Sequence, residues 1–184
     1  MTRFYTQTGD DGYTGLLGEG RTPKYDPRLE TIGAIDEANA ALGVARSISL
    51  APQTAPILLA VQRDFYHMMA EIAILPGTKA RLERFSSDRV SWLEDQIHNL
   101  SKFITIPNEF IVPGDSNSGA SLDLARTITR RAERHIAQLL HQGLIDNPEL
   151  LRYANRLSSL CFVLELLENK SSGLDRNTLA KETP

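Results

Sequence analysis

The sequence predicts an all-α fold, a five-helix bundle with a Gly-rich N-terminal loop. Apolar residues recur at helical spacing in five long stretches. Capping or breaking residues bound those stretches. Alternating apolar–polar runs that would signal strands are almost missing, which leaves helix-on-helix packing as the architecture.

The first helical stretch runs from Thr31 to about Ser49. It sets Ile32, Ile35, Asn39 and Leu42 at helical spacing, with small residues Gly33, Ala40 and Gly43 along another face. Pro52 and Pro56 open the second, which carries Leu58, Leu59, Val61, Phe65, Met68, Met69 and Ile72 to about Leu75. Pro76-Gly77 ends it. The polar stretch through Phe85 reads as a loop. Ser87-Asp88 can cap a third helix with Val90, Leu93, Ile97 and Leu100 inward. A non-helical connector follows from about Ile104 to Gly119, containing Pro107 and Pro113-Gly114-Asp115-Ser116. The fourth helix spans roughly Ala120 to Gln142. Asn147-Pro148 opens the fifth, where proline suits the first turn. Leu150, Ala154, Leu157, Cys161, Leu164 and Leu167 keep its spacing. One domain, residues 1–169, is expected, then a polar tail over 170–184 that frays.

Composition narrows the function. A chain of 184 residues can bury a substantial core without staples. Its net charge of −3 argues against nucleic acid as a partner. Cys161 is alone inside an apolar run and reads as a buried, inert thiol. No apolar run approaches the roughly 18 residues of a membrane span, and the N-terminus does not read as a signal peptide. The expectation is a soluble cytoplasmic protein with no membrane partner.

Arg126, Arg130 and Arg134 lie four residues apart beside the apolar stripe Ala125, Ile128, Ala132, Ile136 and Leu139. Like charges at this spacing repel by roughly 0.2–0.5 kcal/mol per pair. Carboxylates or a bound polyanion such as a phosphate chain would relieve them. A solvated basic face with local Glu pairing is the plainer alternative. The N-terminal segment Thr6-Gln7-Thr8-Gly9-Asp10-Asp11-Gly12-Tyr13-Thr14-Gly15 offers glycines, hydroxyls and backbone N–H groups for a second anion-binding element. Arg21 and Lys24 can add charge, whereas Asp10 and Asp11 oppose a bare phosphate cradle unless one works through a metal or as a turn-forming side chain. An ordinary hairpin or frayed tail is the alternative.

No residue set has metal-ligand spacing. His67, His98, His135 and His141 form no Glu-x-x-His pair, and neither a Gly-x-Ser-x-Gly elbow nor a P-loop is present. Asp36 lies within the small-residue region of the first helix, and pairing with a fourth-helix arginine is the specific expectation. Asn155 sits between apolar residues and wants a defined partner. By spacing alone, Phe110 is a core anchor for the connector.

These blocks, in order, resemble the PduO-type ATP:cob(I)alamin adenosyltransferases. The resemblance rests on Tyr5-Thr6-Gln7-Thr8-Gly9-Asp10-Asp11-Gly12-Tyr13-Thr14-Gly15, Lys24-x-Asp26-x-Arg28, Gly33 through Asn39, Phe110 through Gly114, Ala125 through Arg134, and Asn155-Arg156-Leu157-Ser158. It is collinear from about Phe4 to Asn169. It implies a homotrimer with active sites between subunits, in which the 5′-deoxyadenosyl group of ATP passes to cobalt of cob(I)alamin and triphosphate leaves. Thr6, Gln7, Thr8, Gly9, Thr14 and Gly15 would surround the phosphates with Lys24. Arg130, Arg131, Glu133 and Arg134 would border ATP, and Asn155 would bond the nucleotide. Arg126 would pair with Asp36 of a neighbour. Phe110 would crowd the lower face of the corrin and displace cobalt's lower ligand, making cob(I) accessible. Asp36, Phe110, Arg126 and Arg130 are thus the expected catalytic set. Mg²⁺ would accompany ATP. A cob(II)alamin reductase and an adenosylcobalamin-dependent acceptor enzyme are the implied partners.

The chain departs from the pattern. Gln7 stands where a basic residue is usual and Asp11 where lysine is usual. Asp115 replaces the second glycine of Pro-Gly-Gly, Asp123 a frequent histidine, and Ser159 an aspartate. A less positive phosphate loop should bind a tetra-anion more weakly. A non-catalytic carrier or sensor that binds ATP or adenosylcobalamin is therefore the second expectation.

Overall fold

The computed structural model describes residues 5–78 and 82–181. Phe4, where the resemblance begins, and residues 182–184 of the tail lie outside it. Among the described residues there are five helices and one small hairpin: β1 (Tyr13–Thr14), β2 (Thr22–Pro23), α1 (Pro27–Ser47), α2 (Thr54–Ile72), α3 (Ser87–Ser101), α4 (Asn117–His141) and α5 (Pro148–Ser171). β1 and β2 pair antiparallel, with Tyr13 opposite Pro23 and Thr14 opposite Thr22.

Three helix starts differ from the sequence reading, and each follows from a cap. Asp26 accepts the Arg28 amide at 2.9 Å, and Pro27 stands in the first turn, so α1 begins before Thr31. Ser116 accepts the Gly119 amide at 3.0 Å, so α4 begins before Ala120. Ser86, the residue before the expected pair, caps α3 through the Asp88 amide. α2 stops at Ile72, and Ala73 through Leu75 leave it to pair with Leu17. Asn147 and Pro148 open α5 as expected. α4 ends on Gly143 at φ 66°, with the Leu144 amide bonding Leu139 O at 2.9 Å in a Schellman closure.

α4 is the central helix, packed between α1 and α5. α2 lies on α1, and α3 lies on α5. The shared core includes Ile35, Leu42, Leu58, Phe65, Met68, Leu93, Leu122, Ile136, Leu139, Leu157 and Leu164. α4 and α5 approach closely at Gly119, where a Cβ would collide with the Asn169 side chain.

Buried polar groups lock the helices in register. Asp64 on α2 accepts two bonds from Arg89 on α3, at 2.9 and 2.7 Å, and one from the Tyr153 hydroxyl on α5 at 2.5 Å. Glu168 on α5 accepts the Leu50 and Ala51 amides that follow α1. Buried Arg28 donates to the carbonyls of Ile72 and Leu144.

The tail differs from the expected frayed end. α5 continues to Ser171, and the segment beyond it folds back onto the connector. Leu179 bridges Ile111 antiparallel, with Val112 N donating to Thr178 O at 2.8 Å and Ala180 N to Phe110 O at 2.7 Å. Polar composition concealed this docking because backbone groups and Asp115 make it.

Candidate active site

A cavity of about 590 Å³ lies between the connector and the adjoining faces of α4 and α5. It gathers three of the four expected catalytic residues, Phe110, Arg126 and Arg130. Ile106, Pro107, Ile111, Phe162 and Val163 supply apolar wall, while Asp123, Ser158 and Ser159 add polar groups. Phe110 is 87 % exposed, so it is not the core anchor that spacing suggested. Its neighbour Ile111 is half-buried, and the aromatic ring is left free at the cavity.

Turn spacing on α4 carries Arg126 and Arg130 to the same cavity. Arg126 is held by Asp123 one turn earlier, through bonds of 2.7 Å from Nε and from a terminal nitrogen. Asp36 is exposed on α1 and forms no ion pair within the chain among the described residues; the contact expected for it is with Arg126 of a neighbouring subunit. The α1–α4 ion pair instead joins Glu37 to Arg131. Arg130 is exposed and has no carboxylate partner among the described residues. Arg134 turns back to the Arg130 carbonyl at 3.0 Å. Glu133 accepts from Asn155 at 2.8 Å, and Arg156 donates to the other end of that amide at 2.9 Å. Asn155 therefore has its defined partner, but at the surface rather than between apolar residues.

Glu165 on α5 is buried and neither carboxylate oxygen has a hydrogen-bond partner among the described residues. Burial, and then the Asp123 charge, push its carboxyl up to about 7 against the opposing pull of Arg126. Burial likewise pushes the Cys161 thiol up to about 12, as suits an inert core cysteine.

The N-terminal loop forms a second cluster. A Cβ at Gly9 would lie 3.0 Å from Lys24 Nζ, so glycine there lets the lysine cross the loop. The Thr6 and Thr8 hydroxyls are 2.8 Å apart, and Gln7 adopts a left-handed φ of 61° uncommon for a side chain. Asp11 accepts the Tyr13 amide at 3.2 Å, the turn-forming role. It also takes two bonds from Arg21, at 2.7 and 2.8 Å. Arg21 holds the Asp11 carboxyl below its usual range and reaches the Thr8 and Tyr13 carbonyls too. Asp11 thus neutralises Arg21 and braces the loop. Thr14 and Gly15 follow in and just after β1. None of these loop residues lines the cavity of their own chain.

Phe162 also lines the cavity, and no sequence signal singled it out, since it lies off the apolar stripe of α5 and belongs to no motif. The sequence reading also missed the Asp11–Arg21 and Asp115–Thr178 contacts, whose opposite or complementary groups were visible but whose separations, 10 and 63 residues, exceed any local rule.

Residues 4–168 match a family described as cobalamin adenosyltransferase. The chain is 37 % identical over 176 residues to a corrinoid adenosyltransferase of Bacillus subtilis, covering 94 % of this chain and 89 % of the relative. It is 35 % identical to corrinoid adenosyltransferase PduO of Citrobacter freundii, over 90 % of this chain but only 50 % of that relative's length. A phenylalanine-to-alanine variant of a PduO-type ATP:corrinoid adenosyltransferase from Lactobacillus reuteri, solved with cobalamin and ATP, superposes with a TM-score of 0.90 at 30 % identity, covering 98 % of this chain and 100 % of that one. With this match across nearly its whole length and a superposable bundle, the chain belongs to the cobalamin adenosyltransferase family.

Proposed function

We propose that this protein transfers the 5′-deoxyadenosyl group of ATP to cob(I)alamin, forming adenosylcobalamin and releasing triphosphate. The observation that carries this reading is the cavity that gathers exposed Phe110, several other apolar residues, Arg126 and Arg130. An apolar wall suits the lower face of a corrin, where a displaced ligand must not be replaced. A guanidinium without a carboxylate partner suits an anion that gathers charge as it leaves. Cob(I) is already a strong nucleophile, so orientation and electrostatics suffice and no protein acid or base takes part.

In this reading, Lys24 and the Thr6–Gly9 and Thr14–Gly15 backbone bind the phosphates of ATP with Arg130, while Arg131, Glu133, Arg134 and Asn155 border the nucleotide. The loop and the cavity are separate within one chain, which supports a homotrimer whose site joins the cavity of one subunit to the loop of the next. Asp36 would then meet Arg126 across that boundary. No group of three His, Cys, Asp or Glu side chains converges as a metal cage among the described residues. Mg²⁺ would accompany the phosphates of ATP and keep several of its waters. A cob(II)alamin reductase would supply the electron and an adenosylcobalamin-dependent enzyme would take the product. A cytoplasmic location fits a reaction that draws on ATP and a reductant.

Ser159 on the cavity wall, in place of an aspartate, favours the second reading of a carrier or sensor. Anaerobic incubation with ATP, Mg²⁺ and chemically reduced cobalamin separates the two. Repeated formation of adenosylcobalamin is expected, and tight binding without turnover would mark the carrier.

A further inference from the structure

Asp115 lies where the Phe110 connector turns into α4. Its two carboxylate oxygens both engage Thr178: one accepts the backbone N–H at 2.8 Å, the other the hydroxyl at 2.7 Å. The same segment pairs with the connector through Val112 N to Thr178 O and Ala180 N to Phe110 O, at 2.8 and 2.7 Å. A second tie runs alongside. The Ser116 hydroxyl lies 2.6 Å from Asn169 Oδ1, and Asn169 Nδ2 donates to Asn177 Oδ1 at 2.8 Å.

The Phe110 ring is 87 % exposed, so side-chain packing does little to fix it. Its position is set by its backbone, and that backbone is tied to residues 178–180. A glycine at position 115 would provide neither acceptor for Thr178. With Gly114 at φ 131° immediately before it, the turn would then be freer to move.

We propose that Asp115 is a positioning residue for Phe110: by clasping Thr178 it clamps residues 178–180 along Phe110–Val112 and holds the aromatic ring at a fixed height over the corrin. This rests on the reading of the cavity as the corrin site. A clamped connector has fewer conformations to lose when the corrin arrives, so ligand displacement from cobalt becomes more complete. Asp115 does not touch substrate; it acts through the connector.

The test uses the full-length protein with Asp115→Ala, Asp115→Asn and Thr178→Val. Amide hydrogen exchange reads the clasp, and electron paramagnetic resonance of cob(II)alamin with ATP present reads cobalt coordination. Asp115→Ala, which removes both bonds, should speed exchange at Val112 and Ala180 by about tenfold or more, and Thr178→Val, which removes only the hydroxyl bond, by a smaller factor of about threefold. Each should lower the four-coordinate cob(II)alamin signal several-fold while ATP affinity stays within about twofold. Asp115→Asn keeps one acceptor and should fall between. Unchanged exchange would overturn the clasp. Faster exchange with an unchanged cobalt spectrum would overturn the positioning role and leave the corrin site standing. A wild-type protein that binds ATP but no cobalamin would overturn both.

Discussion

Arg130 and Arg134 are one turn apart, yet their surroundings assign them different work. Arg130 opens onto the cavity without a carboxylate partner, whereas Arg134 bonds the Arg130 carbonyl. Arg130→Ala should lower kcat/KM by about 10²–10³-fold, the scale for deleting one contact to a leaving oxyanion. Arg134→Ala should cost less than about tenfold; steady-state kinetics with ATP and cob(I)alamin compares them. Asp11 makes the opposite case, because a charge that looked adverse is already paired with Arg21. Asp11→Ala should release Arg21 from the Thr8 and Tyr13 carbonyls and raise KM for ATP several-fold, with little change in kcat. The arginine row was legible because helical periodicity projects it onto one face. The carboxylates around it were only partly legible: Asp123 lies within one turn of Arg126, but Glu37 reaches the neighbouring Arg131 from another helix.

At the scale of elements, periodicity located all five helices, and the errors sit at their ends. Caps explain them, since Asp26, Ser86 and Ser116 each satisfy an amide in the first turn of the helix that follows. Burial of Phe110 could not be read, because an aromatic beside Ile111 and a Pro-Gly turn has the same local pattern whether it anchors a core or faces a cavity. The registry of α2, α3 and α5 depends on the Asp64–Arg89–Tyr153 cluster. Arg89→Met would leave the Asp64 carboxylate buried without its cation. Because Arg89 is partly exposed, the loss should sit near the low end of the usual range, about 3 kcal/mol, measured by urea unfolding. Tyr153→Phe should cost about 1–2 kcal/mol, because Arg89 still satisfies the carboxylate. Phe110→Ala, in contrast, should leave stability nearly unchanged, since the ring is exposed. Turnover from cob(II)alamin with a mild reductant should fall much more than turnover from preformed cob(I)alamin.

For the whole molecule, buried Glu165 links stability to pH. Between its ordinary value of 4.5 and its folded value of about 7, the folded chain keeps a proton that the unfolded chain releases. Stability should therefore fall as pH rises through this window and level off above it. Glu165→Gln should flatten the slope and raise Tm at pH 8 by a few degrees, with little effect at pH 4, as scanning calorimetry would show. Assembly belongs to the same scale: Asp36→Ala should weaken the proposed trimer in sedimentation while leaving each bundle folded. The central claim is that one site joins the corrin cavity to the phosphate loop for adenosyl transfer. Its most direct test is a single turnover with equimolar ATP and chemically prepared cob(I)alamin, following adenosylcobalamin and triphosphate together. Equal yields of the two are expected in wild type, with both formed about 10²–10³-fold more slowly in Arg130→Ala. Bound ATP and corrinoid with neither product formed would contradict the account.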